Sequence, residues 1–195
     1  MRYTLSAPAR AVLDVRKSRF AAIAAPVASP EAAMAFVADV SDPDATHNVW
    51  AWRVGQQYRF NDDGEPSGTA GKPVLQAIDG FSLDGVAVVV ARWFGGIKLG
   101  AGGLVRAYGG CAAECLRTAE KRAIVAMVEL EFELPFAALP LLHARLPAFA
   151  ASKLGESFVD GGARLRIQVP AAQVHALRAL VQDLSRGRAK IRPGS

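Results

Sequence analysis

The sequence predicts an α+β protein of two domains, and three observations predict it. Stretches with apolar period two and stretches with the helical period alternate along the chain. Near Ala123 a charged helical stretch gives way to a long alternating strand, which sets the expected domains at residues 1–122 and 123–195. Beyond that point the elements run strand, helix, strand, strand, helix, strand, the split βαβ or ferredoxin-like order. With 195 residues, half of them hydrophobic (51%), the chain can bury the core such an architecture needs.

Taken in order, residues 11–15 and 20–27 are rich in Val, Ile, Ala and Phe, and the basic group at 16–19 between them reads as the turn of a hairpin. Ser29-Pro30-Glu31 is a helix start: serine caps free amides, proline fits the first position and an acid suits the dipole. That helix is expected to stop by Ser41-Asp42-Pro43-Asp44. Residues 47–54 alternate, with Trp50, Trp52 and Val54 on one face, and read as a strand. Residues 60–72 are a loop by composition, and Pro73 sits near the first turn of a short helix ending at Gly80. The apolar run 86–93 is a buried strand, followed by a helix over about 103–121 with Leu104, Tyr108, Cys111, Cys115 and Ala119 on its apolar stripe. In the second half, a strand is expected over 124–134 with Glu129, Glu131 and Glu133 facing out, and a helix over 136–150 that Pro140 and Pro147 strain. A hairpin at 157–159 and 164–169, a helix at 171–184 and an edge strand at 188–191 follow.

Chemistry concentrates in two loops. Residues 92–108 carry five glycines, Gly95, Gly96, Gly100, Gly102 and Gly103, between a strand and a helix start. That arrangement is one common way to hold a phosphate, and Lys98 and Arg106 supply matching charge. Common nucleotide patterns fail here, because Val105 stands where a dinucleotide fingerprint wants glycine, and Pro66 and Pro73 break the Walker spacing around Gly71-Lys72. The blander alternative is that these glycines only allow tight turns and close packing. The acidic loop Asp62-Asp63-Gly64-Glu65 could hold a hard cation or move protons, or be a solvated turn whose acids bond their own backbone. Cys111 and Cys115, one helical turn apart on an apolar stripe, read as buried, reduced and metal-free. A net charge of +5 is compatible with an anionic partner. No signal peptide or membrane span is read, so a cytoplasmic location is expected.

The chain resembles a known family at these same residues. Residues 61–73 and 92–108 resemble the two signature blocks of the YigZ/IMPACT family, and His47-Asn48-Val49-Trp50-Ala51-Trp52-Arg53 resembles its preceding strand. The family often has cysteine at the position of Val49 and tyrosine at that of Trp93. The resemblance covers roughly residues 1–122, and the rest looks like the small C-terminal domain of bacterial members. It implies an N-terminal domain like domain two of ribosomal protein S-five, with a left-handed βαβ crossover, against the usual hand. It implies a ferredoxin-like C-terminal domain resembling domain five of elongation factor G. Eukaryotic members regulate translation by binding the activator of an amino-acid-starvation kinase; no reaction is implied for bacterial ones.

Two readings follow. In the first, a non-enzymatic, translation-linked regulatory protein binds RNA, the ribosome or a translation-associated partner. A backbone phosphate rests on Gly95, Gly96, Gly100, Gly102 and Gly103 with Arg92, Lys98 and Arg106 as charge partners, and Lys72, Arg53 and Tyr58 as accessory contacts. In the second, a magnesium-dependent enzyme acts on a phosphorylated small molecule or nucleotide with Asp62, Asp63, Glu65 and His47. A protein-binding adaptor using the same surface is a third. No resident cofactor or metal, no membrane partner and no DNA sequence specificity is expected.

Overall fold

The basic group at 16–19 does turn a hairpin, and it does so in two residues. In the computed structural model, which describes residues 2–194, β1 (Tyr3–Leu5) precedes β2 (Ala9–Val15) and β3 (Ser18–Pro26), paired antiparallel from Val15↔Ser18 outward. Met1 and Ser195, the outermost residues of the two expected domains, lie outside the described residues. Arg16 and Lys17 form the turn with φ of 45° and 69°. Two consecutive positive φ values mark the primed turn that matches strand twist and ordinarily takes Asn-Gly. The helix α1 (Pro30–Val40) starts as its sequence dictates, with Ser29 Oγ accepting from the Ala32 N–H at 3.2 Å and Pro30 in the first turn.

Next come β4 (His47–Val54), β5 (Gln57–Asn61), α2 (Gly71–Gly80), β6 (Val86–Trp93) and α3 (Ala101–Thr118). The five long strands form one antiparallel sheet in the order β2-β3-β6-β4-β5. β6 lies at its centre, and both its faces are covered, which is why its sequence is nearly all apolar. On one face Trp50, Trp52, Ala87 and Val89 pack with Ala33 and Val37 of α1. On the other, Phe20, Val49, Ala51, Val88 and Val90 pack with α2 and α3, where Tyr108, Cys111 and Cys115 are fully buried. The strand β7 (Lys121–Ala123) returns to pair with β1 in register Leu5↔Lys121, and the Ile124 N–H reaches the Arg2 carbonyl at 2.9 Å. The chain divides into two compact units after Ile124.

The second unit contains β8 (Met127–Pro135), α4 (Leu139–Arg145), β9 (Ser152–Val159), β10 (Gly162–Pro170), α5 (Val174–Ser185) and β11 (Arg192–Pro193). Its sheet order, β11-β8-β10-β9, is ferredoxin-like. Leu130, Phe132, Leu134, Leu165, Ile167 and Val169 face Leu142, Leu177 and Val181. The single helix expected over 136–150 is instead three pieces, α4 flanked by 3-10 turns at Phe136–Ala138 and Leu146–Phe149. Pro140 and Pro147 each end up in a first turn, where a missing N–H costs nothing. The expected edge strand at 188–191 falls later, at Arg192–Pro193 against β8.

Candidate functional site

Strand register gathers the site at one end of the first sheet. Phe20 of β3, Arg92 of β6 and His47 of β4 stand side by side, with Ser18 at the start of β3. The loops beyond those positions are the basic turn at 16–17, the acidic loop at 62–70 and the glycine-rich turn at 94–100.

The acidic loop is spent on holding itself in place. The Asp62 carboxylate accepts from the N–H groups of Gly68 (2.8 Å), Ala70 (3.0 Å) and Gly71 (2.8 Å). It thereby supplies the cap that Ala70 lacks at the start of α2. Asp63 Oδ2 accepts from the Asn48 N–H at 2.6 Å. The Asp63 carbonyl lies 2.7 Å from His47 Nδ1, so that nitrogen carries the proton, and Nε2 faces Glu65 Oε1 at 3.8 Å.

Glu65 is the hub. Its Oε1 accepts from Arg92 Nη1 at 2.6 Å and from the Tyr108 hydroxyl at 2.7 Å. The side chains of Glu65 and Arg92 are both only 5% exposed. Arg92 Nη2 donates to Ser18 Oγ at 3.3 Å, and its guanidinium lies between the rings of Phe20 (5.5 Å) and Phe94 (5.3 Å). Burial, then the bond to Glu65, pushes the Tyr108 phenol well above its usual range. Arg92, expected as an open phosphate partner, is therefore a buried strut: its guanidinium is committed to the Glu65 carboxylate and the Ser18 hydroxyl and is turned away from solvent. Among the described residues no three His, Cys, Asp or Glu side chains converge as a metal ligand set.

The glycine-rich turn is attached to this hub and open beyond it. The Phe94 N–H donates to Thr46 Oγ1 at 3.0 Å, and the Gly95 N–H to Ser18 Oγ at 3.3 Å. A Cβ on Gly95 would fall on the Lys17 carbonyl, and one on Gly103 would sit 2.9 Å from Leu99 Cβ, so these two serve close packing. Gly96 and Gly100 have φ of 85° and 72° and serve the turn, while Gly102 does neither. Gly100 starts α3 without a side-chain cap. Lys98 and Arg106 are exposed and have no partner among the described residues. Arg106 and Arg16 line one depression of about 170 Å³ floored by Leu13, Val15, Leu99 and Ala107.

Not every expected residue joins. Arg53 pairs with Asp79 (2.6 Å and 3.0 Å) and stacks over Tyr58 at the far end of β4. Lys72 is exposed in the first turn of α2. Sequence reasoning missed Arg16 and Lys17 as site residues, although a basic pair at a two-residue hairpin turn was the available signal. It also missed Ser18 and Tyr108, which carried no signal beyond a buried strand and stripe.

Residues 16–116, which hold all the charged and hydrogen-bonding side chains just described, match the model of the Impact N-terminal domain, and residues 132–188 match a domain of unknown function, DUF1949. The chain is 48% identical over 176 residues to the protein "IMPACT family member in pol 5'region" of Thermus thermophilus, covering 89% of this chain and 97% of that protein. The chain belongs to the IMPACT family. The IMPACT family member YigZ of Escherichia coli is 39% identical over 189 residues, covering 93% of this chain and 92% of that one. A solved structure titled as a hypothetical protein superposes on this IMPACT family fold with a TM-score of 0.74 at 35% identity, over 100% of this chain and 97% of the other. Among the described residues no helix is long and apolar enough to cross a membrane.

Proposed function

We propose that this IMPACT family protein binds RNA, free or on the ribosome, in a translation-linked regulatory role, through the start of α3. Family membership suggests the translation-related role; the site suggests the ligand. One observation carries the reading: Arg16 in the hairpin turn, Lys98 just before the uncapped start of α3 and Arg106 within its first two turns are all exposed and without partners among the described residues. The free amides there point at an incoming anion, and glycine lets a phosphate come close. Arg106 and Arg16 can each offer two parallel bonds to phosphate oxygens, while Lys98 adds a mobile charge. The residues an enzyme would need are occupied otherwise: Asp62 and Asp63 hold backbone amides and Glu65 holds Arg92.

RNA affinity measured by fluorescence anisotropy against salt concentration tests this. Each lost phosphate contact lowers the log–log slope by roughly 0.7–0.9, so Lys98→Ala and Arg106→Ala should each weaken binding across sequences and flatten its salt dependence. Unchanged affinity and slope in the folded double variant would remove the α3 start from the reading.

A further inference from the structure

We infer that the RNA taken at the α3 start is single-stranded, with one unpaired base stacked on Phe94; this rests on the RNA reading above. Phe94 is 45% exposed, so part of its ring is open to a ligand. Its position is fixed before any ligand arrives. One side of the ring lies against the Arg92 guanidinium at 5.3 Å, and the Phe94 N–H is tied to Thr46 Oγ1 at 3.0 Å. Arg92 is itself immobilised by Glu65, Ser18 and the Phe20 ring. A ring held this way loses little freedom when a ligand covers its open side, which favours binding.

The surroundings match a nucleic acid strand. From Trp93 through Arg106, and from Val15 through Phe20, there is no acidic residue. Arg16, Lys17, Lys98 and Arg106 are exposed there and without partners among the described residues. Ile97 (40% exposed) and Val105 (38% exposed) add apolar surface beside the charges. Arg16 and Lys17 occupy a turn that asparagine and glycine would enter with less strain, so two cations stand on a rigid support where none is required for folding. A flat aromatic beside backbone-neutralising cations is the chemistry of single-strand recognition, since each unpaired base offers a face to stack and each linkage a phosphate. In a duplex those faces are already stacked on each other, and Phe94 would have none to meet.

The full-length chain can be titrated with a fluorescent oligouridine, the same length of abasic strand and a blunt duplex RNA, with polyglutamate as competitor. The single strand should bind tightest. Phe94→Leu, which keeps an apolar side chain over Arg92, should weaken the oligouridine complex about 5- to 100-fold and leave the abasic complex unchanged. Phe94→Trp should restore binding. Equal affinity for the abasic strand or duplex, equal displacement by polyglutamate, or an unaffected Phe94→Leu variant would each overturn the inference. If oligouridine binding still depends on Lys98 and Arg106 in that case, the RNA reading survives alone. If no strand binds with a salt dependence that Lys98→Ala and Arg106→Ala flatten, both fall.

Discussion

Removing the Glu65 carboxylate is the sharpest test of how the site is held. Glu65→Ala leaves Arg92 as a cation 4% exposed, with no carboxylate and only Ser18 to bond, and leaves the Tyr108 hydroxyl without its acceptor. Breaking a buried pair in this way costs about 3–5 kcal/mol, because the surviving charge stays desolvated. A domain of this size has roughly 5–15 kcal/mol in total, so the first unit would lose a large share. At roughly 3–4 °C per kcal/mol, its melting midpoint should fall by about 10–20 °C. Glu65→Gln keeps an acceptor oxygen and loses only the charge, and should cost less, about 1–3 kcal/mol. Glu65→Leu with Arg92→Met removes both charges and should regain much of the loss. Circular dichroism melts and urea titrations of these proteins, with the Glu65→Leu and Arg92→Met single variants beside them, read these values. A Glu65→Ala loss under about 1 kcal/mol, or a double variant no better than the summed singles, would refute the reasoning that the pair is buried and coupled.

Asp62→Ala strips three amides at the start of α2 of their acceptor and should cost about 1–2 kcal/mol, read by urea unfolding. Burial raises the Cys111 and Cys115 thiols from 9.0 to about 12 and about 11, so native protein should label slowly with thiol reagents near neutral pH. Because the folded values are raised, the stability these thiols contribute is complete below the unfolded value near 9.0, and should fall as pH climbs toward the folded values. Gly95→Ala cannot fit a Cβ against the Lys17 carbonyl, and should lower the melting midpoint and disturb the hairpin turn in amide spectra. We propose that residues 1–124 fold alone, and a cooperative melt of that fragment is the outcome to look for.

The start of α1 was readable because every group that makes it, Ser29, Pro30 and Glu31, is a chain neighbour. The buried central strand β6 and the stripe of Leu104, Tyr108, Cys111 and Cys115 were readable because periodicity reports burial directly. β5 was not, since all five of its residues are exposed and the strand exists only by pairing with β4. Nor was β7, three residues that become a strand because β1 lies beside them.

The same division runs through the site. Sequence by itself marked both loops, through glycine, Lys98 and the run of acids. It could not distribute their roles. Glu65 meets Arg92 and Tyr108 from 27 and 43 residues away, so its choice of structural partner over solvent is set by where the sheet and α3 place them. His47 and Arg53 share a strand and a face, yet one stands at the site and the other pairs with Asp79 at the opposite end. Spacing along a strand reports its faces, while register across strands decides which ends meet, and here the alignment of Phe20, Arg92 and His47 made that decision.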